Sequence, residues 1–246
     1  MQLASGFRGR IAETLPDMIQ VGERWLPLEF VPHARARRVA LRLCPARRAV
    51  RLTMPPRTGT ARAMAFAQSQ QTWLEQQAAR RLPPPAPFQP GGVILFRGAD
   101  LKLTAGKGRS VLFAHGQLAV PGNADAFAGR VRRFLAAEAR RLLTAETQML
   151  AATVGRNDVQ VRLGDPASRW GSCSASGHIA YSWRLVLAPD FVRQAVVAHE
   201  VAHLVEHHHG AAFWALATEL LGTSHQPAKA WLSAHGPLLF AQGAVR

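Results

Sequence analysis

The chain has 246 residues, of which 48% are hydrophobic and 18% are charged. This balance excludes an intrinsically disordered protein, and the length allows one or two domains with a substantial core. The chain has two cysteines, Cys44 and Cys173, which excludes a disulfide framework and favours a reducing compartment. No segment approaches the roughly 20 consecutive apolar residues of a membrane span, so we expect a soluble, cytoplasmic protein with no membrane partner.

The net charge of +15 is concentrated in the N-terminal part of the chain. Residues 1–110 contain 18 Lys and Arg against 6 Asp and Glu (+12), whereas residues 111–246 contain 12 against 9 (+3). Because a basic module can bind polyanions without any catalytic chemistry, nucleic-acid binding is one candidate function. The arginines that motivate this hypothesis include Arg35, Arg37, Arg38, Arg47 and Arg48.

The N-terminal part contains a predicted hairpin and a predicted helix. Residues 39–54 alternate apolar and basic side chains on both sides of PARR, which predicts a β-hairpin with one solvated face. Residues 61–82 have the apolar period of an amphipathic helix, and prolines end it. Residues 83–92 are typical of a connector, so we predict a basic hairpin and helix region at 1–90 and a second domain at 91–246. The apolar stripe of the helix comprises Met64, Ala67, Leu74, Ala78 and Leu82.

Short strand patterns and longer helical patterns follow one another in the second domain, which predicts an α+β fold. The predicted strands lie at residues 93–98, within 102–122, at 159–164 and at 178–188. The predicted helices span residues 125–154, 190–206 and 211–221, and Gly222 ends the last of them.

The helix predicted at 190–206 contains the sequence HEVAH, an HExxH pattern. His199 and His203 are four residues apart and therefore share one helix face, where two imidazoles can bind the same Zn²⁺. Glu200 then stands beside the metal and its water. The flanking residues are apolar on both sides, and burying these polar side chains without a metal would be costly. The pattern therefore predicts a zinc hydrolase.

A zinc ion needs a third protein ligand, and a histidine triplet follows the motif. In a continuous helix His207 would lie about 12 Å from His199 along the axis, too far for both to bind one ion. The helix must therefore end near Glu206 so that the chain turns back. The spacing HExxHxxxxxH favours His209, with His208 and the downstream carboxylate Glu219 as alternatives.

Three segments resemble the YgjP-like metallopeptidases, relatives of the SprT-like zinc peptidases. They are SRWGSCS at 168–174, the predicted strand WRLVLAP at 183–189, and HEVAHLVEHHHGAAFW at 199–214. Residues 35–82 are similar, more loosely, to the family's basic N-terminal hairpin and helix. The resemblance implies a zincin-like catalytic domain whose HExxH helix packs on a small sheet. It also implies that His199, His203 and His209 bind zinc and that Glu200 is catalytic.

The resulting hypothesis is hydrolysis of peptide or protein substrates with one zinc ion per chain, which activates water while Glu200 acts as general base. The alternative is a nucleic-acid-binding protein with a structural or secondary zinc site. Candidates for transition-state or substrate contacts are Arg169, Tyr181 and Arg184. Cys173 is interpreted as packing, with a fourth zinc ligand or a redox switch as alternatives. Phe213 and Trp214 are expected to be core residues.

Overall fold

The structure is a computed structural model that describes residues 18–84, 86–166 and 169–243. These residues have a mixed α+β fold with six α-helices and three small sheets, which confirms the predicted class. They separate into two compact units, residues 18–44 with 48–79 and residues 45–47 with 80–243. Residues 1–17 of the predicted N-terminal region lie outside the described residues, and the predicted division at residue 90 stays a prediction. Across the described ranges, no helix has both the length and the apolar character needed to cross a membrane.

The first unit contains a four-stranded sheet in the order β1-β2-β4-β3. Strands β3 and β4 pair antiparallel, which confirms the predicted hairpin, and Leu43 and Val50 face each other within its buried side. The sequence patterns had not identified β1 and β2; β2 pairs parallel with β4. The strands are β1 (Met18–Val21), β2 (Arg24–Pro32), β3 (Ala40–Cys44) and β4 (Ala49–Met54).

The single helix predicted at 61–82 is two helices, α1 (Thr60–Ser69) and α2 (Gln71–Arg81). Gln70 separates them with φ −102° and ψ 16°, and its N–H still bonds to the carbonyls of Ala67 and Gln68. The apolar stripe is nevertheless buried at Ala67, Leu74, Ala78 and Leu82, and Met64 is half-buried. A period-based prediction does not detect such a break, because the apolar spacing continues across it.

The second unit contains two small sheets. One has the strand order β5-β6-β8-β7 and the other the order β10-β11-β9, in which β10 is antiparallel and β9 parallel to β11. The first sheet comprises β5 (Val93–Phe96), β6 (Ala99–Ala105), β7 (Leu112–Ala114) and β8 (Gln117–Val120). The second comprises β9 (Val161–Gly164), β10 (Gly171–Cys173) and β11 (Ile179–Ser182).

The prediction of a strand at 178–188 is wrong for the second half of that segment. Strand β11 ends at Ser182, and Trp183–Leu187 form a 3₁₀ helix. The Ser182 side chain accepts a hydrogen bond of 3.3 Å from the Arg184 N–H, which caps this helix. The segment is buried on all sides, so its sequence has no alternation by which a strand and a helix could be distinguished.

The second unit also contains four helices: α3 (Ala124–Thr153), α4 (Asp190–Ala202), α5 (Ala211–Leu221) and α6 (Gln226–Ala241). The predictions for α3 and α5 are confirmed, including the left-handed Gly222 (φ +73°) that ends α5. Helix α4 ends four residues before the predicted Glu206, and α6 had no predicted bounds. Helix α6 contains an internal proline, Pro237, which obscures its pattern.

The first turn of α4 is anchored by the β5–β6 turn. The side chain of Arg97 pairs with Asp190, while the backbone N–H of Arg97 donates to Val186 O over 2.8 Å. Gly98 has φ +80° and lies against Pro189 so closely that a Cβ there would be 2.8 Å from the proline Cα. These contacts fix where the helix that carries the HExxH motif begins.

We predict that Gly98→Ala destabilises the protein by more than conformational strain alone. A left-handed alanine costs about 1–2 kcal/mol, and overpacking against Pro189 adds roughly 1–3 kcal/mol. The matched control is Gly108→Ala, because Gly108 has a similar φ of +86° and an added methyl group there would meet no atom of the described residues within 4 Å. Equal losses of unfolding free energy for the two variants in a denaturant titration would contradict a role for the Pro189 contact.

Candidate metal centre

Helix α4 and the turn after it bring three imidazoles together. His199 lies in the last turn of α4, and His203 is the residue immediately after the helix. One ring nitrogen each from His199, His203 and His209 lies within 4.8 Å of the other two. The two Nε2 atoms of His199 and His209 are 3.1 Å apart. The structure therefore places the first two predicted ligands next to His209, the favoured third one.

The position of His209 depends on an abrupt end to α4. The N–H groups of Leu204 and Val205 bond to the carbonyls three residues back, those of Val201 and Ala202, at 2.9 and 3.1 Å, so the chain tightens into turns after the helix. The ring Nδ1 of His203 donates to Glu206 O over 3.0 Å. This bond leaves Nε2 of His203 free of the proton, which is the state required of a ligand.

Two aromatic residues of α5 pack against the imidazoles. Phe213 is buried, and its ring centroid is 4.9 Å from that of His199 and 4.6 Å from that of His209. This confirms the expected core role of Phe213. Trp214 is 43% exposed, so its assignment to the core was wrong. It follows Phe213 on α5 and therefore points to another side of the helix, where its ring is 5.7 Å from His199.

The donor set fits a zinc ion. A tetrahedral ion with Zn–N bonds of about 2.1 Å holds its ligand atoms about 3.4 Å apart, which is within the range of the nitrogen separations here. Burial, followed by the neighbouring His203, His209 and His225, lowers the pKa of His199 to about 4. Burial also lowers the pKa of His203. Both rings are thus neutral near pH 7, as metal ligands must be.

Glu200 lies beside this cluster with its carboxylate buried. The residue is 6% exposed, and burial raises the pKa of its carboxyl group to about 7, against a smaller lowering by the charge of Arg169. Gly171 of β10 lies directly against it: a Cβ at Gly171 would be 2.6 Å from Glu200 Oε1. The carboxylate therefore fits only because this strand position has no side chain. A carboxyl group that titrates near neutrality is suited to exchanging protons.

The three predicted contact residues have different surroundings. Arg169 is exposed and, with Glu200 and the three histidines, lines a cavity of about 370 Å³. Tyr181 is 1% exposed, and its hydroxyl is 3.0 Å from Thr147 Oγ1. Arg184 donates to Asp165 and to the carbonyls of Leu239 and Gln242. Among these three predicted residues, only Arg169 is brought to the edge of the histidine cluster.

The alternative ligands are not part of the cluster. His208 and Glu219 are exposed, and neither belongs to the group of ligand atoms that converge among the described residues. Cys173 is a free thiol that lines the same cavity and donates to Ser174 O over 3.5 Å. Burial, and then the charge of Glu200, raises the pKa of this thiol, which disfavours the thiolate that zinc binding requires.

Two residues at the candidate metal centre were not predicted from the sequence. Gly171 had no predicted role, although a glycine between SRW and SC can mark a close approach of another group to the backbone. His225 lies just before α6, with its ring centroid 6.5 Å from that of His199. Both of its ring nitrogens are buried without a hydrogen bond of ordinary length and angle to any described residue. No local pattern marks His225, because only the folding of α6 onto α4 brings it here.

Three imidazoles that converge beside a buried carboxylate are the arrangement typical of the metallohydrolase class. The chain belongs to the YgjP-like family: the model of the YgjP-like metallopeptidase domain matches residues 37–235. Ser168, in one of the segments that carry the resemblance, lies outside the described residues. No curated protein and no solved structure matches the chain significantly. The family name indicates a metal-dependent peptidase, and thus a hydrolase that acts on peptides or proteins.

Proposed function

We propose that this protein is a zinc-dependent peptidase with a zincin-like catalytic domain, in which His199, His203 and His209 bind one zinc ion and Glu200 is the general base. The observation that carries the proposal is the convergence of the three ring nitrogens within 4.8 Å beside a buried carboxylate. Zinc, when bound, supplies a Lewis acid that polarises the scissile carbonyl and makes a water molecule more acidic.

The protein's own side chains perform the proton transfers in this proposal. Glu200 accepts a proton from the attacking water and passes it to the amine of the departing product as the C–N bond breaks. Its elevated pKa, about 7, suits both steps. Arg169 lines the same cavity and carries a positive charge, so it is the candidate that stabilises the negative charge developing on the carbonyl oxygen.

Metal analysis tests the ligand assignment directly. We expect purified protein saturated with zinc and then desalted to retain about one ion per chain, and we expect His203→Ala and His209→Ala to lose most of it. His208→Ala is the matched control, since this exposed neighbour lies outside the cluster. Zinc retention by His209→Ala together with loss in His208→Ala would assign the third ligand to His208 instead.

Gly171→Ala provides a second test, because the added methyl group displaces the Glu200 carboxylate. We expect kcat for peptide hydrolysis to fall by roughly 10-fold or more, by loss of alignment of the base, while the zinc content stays unchanged. Gly164→Ala is the control in the same sheet, where the nearest atom to the added carbon would be Pro166 Cδ at 3.8 Å. Full activity of Gly171→Ala would show that the position of Glu200 tolerates displacement and would weaken its role as base.

Nucleic-acid binding is the second candidate function, and exposed arginines on the first unit favour it. Arg35, Arg37, Arg38 and Arg42 are exposed on β3 and the segment before it. Guanidinium groups bind phosphate, and binding of this kind weakens steeply with salt. A fluorescence-anisotropy titration of single- and double-stranded DNA and of RNA at low and high salt tests it. Absence of binding at low salt would exclude this function.

A further inference from the structure

An apolar groove of about 390 Å³ adjoins the candidate metal centre. It shares Gly171, His199 and Glu200 with the cavity that the three histidines line. We call it the tryptophan groove. Its apolar wall is formed by Trp170, Ala195, Val196, Trp214, Ala228 and Leu232.

The two tryptophans form fixed walls of this groove. Trp170 stacks on Phe240 of α6 with ring centroids 4.9 Å apart and an angle of 24° between the planes. Gly236, also on α6, lies under the same indole: a Cβ there would be 3.1 Å from Trp170 Cζ2. The ring centroid of Trp214 is 5.7 Å from that of His199, and 43% of Trp214 remains exposed. Exposed apolar surface beside a catalytic carboxylate is what a substrate side chain would cover.

The charges at the groove restrict what it can accept. Lys229 of α6 is exposed and lines the groove, so its ammonium group repels a basic side chain placed there. His225, which lies just before α6, also lines the groove. Glu200 faces the groove from α4 and is engaged in the proposed proton transfers.

We propose that the tryptophan groove binds a large apolar side chain of the substrate residue next to the scissile bond, and that Lys229 selects against a basic one. The proposal rests on the proposed peptidase function, because it assigns the groove to the same reaction. We infer the occupant from the continuity of the groove with the candidate metal centre. A peptide bond positioned at His199 and Glu200 must place one of its flanking side chains at the adjoining groove. An aromatic or long aliphatic side chain there gains burial that glycine cannot provide.

The test uses the zinc-loaded full-length protein and a randomised peptide library, with cleavage sites identified by mass spectrometry. Peptides that differ only at the selected position, with Phe, Leu, Gly or Lys, are then compared. We expect kcat/KM to be about 10- to 100-fold higher for Phe or Leu than for Gly, and lowest for Lys. Calorimetric titration of the same peptides into the Glu200→Gln variant gives a readout that does not depend on turnover, and the Phe peptide should bind more tightly than the Gly peptide.

Two variants test whether the groove causes this preference for an apolar side chain. Ala228→Leu fills it and should reduce the Phe-to-Gly ratio of kcat/KM at least about fivefold, a size typical of steric loss in an apolar pocket. Ala230→Leu, on an exposed position of the same helix, is its matched control. Should Ala228→Leu fail to fold, Lys229→Glu remains, and it should raise the Lys-to-Phe ratio.

The outcomes distinguish this proposal from the one on which it rests. Hydrolysis without preference between Phe and Gly, or ratios that neither variant changes, would overturn the groove assignment and leave the peptidase intact. Hydrolysis of no peptide by the zinc-loaded protein would overturn the proposed function, and the groove assignment with it.

Discussion

Replacing Glu200 with glutamine is expected to lower kcat/KM for peptide hydrolysis by roughly 10²- to 10⁴-fold, the usual contribution of a general base. Glutamine has nearly the same shape, so it should fit the space against Gly171, but it cannot accept a proton. The zinc content should remain at about one ion per chain, because Glu200 is not among the three converging ligands. Peptide hydrolysis and metal content are measured on the same preparation.

The control for this variant is Glu219→Gln, which changes an exposed carboxylate on α5 in the same way. It should retain both zinc and activity. Two results would contradict the assignment: undiminished hydrolysis by Glu200→Gln would place the base elsewhere, and loss of zinc from that variant would make Glu200 a ligand.

Replacing Glu146 with alanine is expected to destabilise the protein by about 3 kcal/mol, because it leaves the buried charge of Arg193 without its main partner. Arg193 is 1% exposed, and its guanidinium group donates to both carboxylate oxygens of Glu146 at 2.6–3.1 Å. Asp190 still accepts from Arg193 over 2.6 Å, which limits the loss. The melting temperature should fall by roughly 6–12 °C, measured by calorimetry.

Glu138→Ala, on the same helix α3, is the matched control. Glu138 pairs with Arg141 at 2.8 Å, but the Arg141 side chain is 62% exposed, and such a pair contributes at most about 1 kcal/mol. A similar loss in both variants would mean that burial of Arg193 does not decide the effect. Combining Glu146→Leu with Arg193→Met should recover most of the stability, since apolar residues can replace a buried ion pair.

The family resemblance carried by the sequence is confirmed by the match over residues 37–235. The regular elements were also predictable wherever the pattern was long. Helix α3 buries Phe127, Val131, Leu135, Ala139 and Leu143 at intervals of four, and its bounds agree with the prediction within one residue. The hairpin of β3 and β4 was likewise determined by alternation around a turn. In both cases the signal is local, because the period repeats many times within one segment.

Short buried segments were not predictable in this way. Trp183–Leu187 has no alternation, so its 3₁₀ geometry depends on the Ser182 cap and on packing against α3. The break at Gln70 interrupts a helix across which the apolar spacing continues, and Pro237 obscures the helical pattern of α6, so neither feature could be predicted from the period. Backbone conformation at such positions is decided by tertiary packing.

For the site, the sequence by itself determined that His199, Glu200 and His203 lie together, because a four-residue spacing on a helix leaves little freedom. The tertiary structure decided the rest. It brought His209, which the spacing had favoured, next to His199 and His203, and it buried Glu200 against Gly171. It also buried Tyr181 against Thr147 and paired Arg184 with Asp165, and it placed Trp214 and His225 beside His199. Apart from that of His209, which follows a local turn, these placements depend on contacts between segments distant in sequence, and no local spacing encodes them.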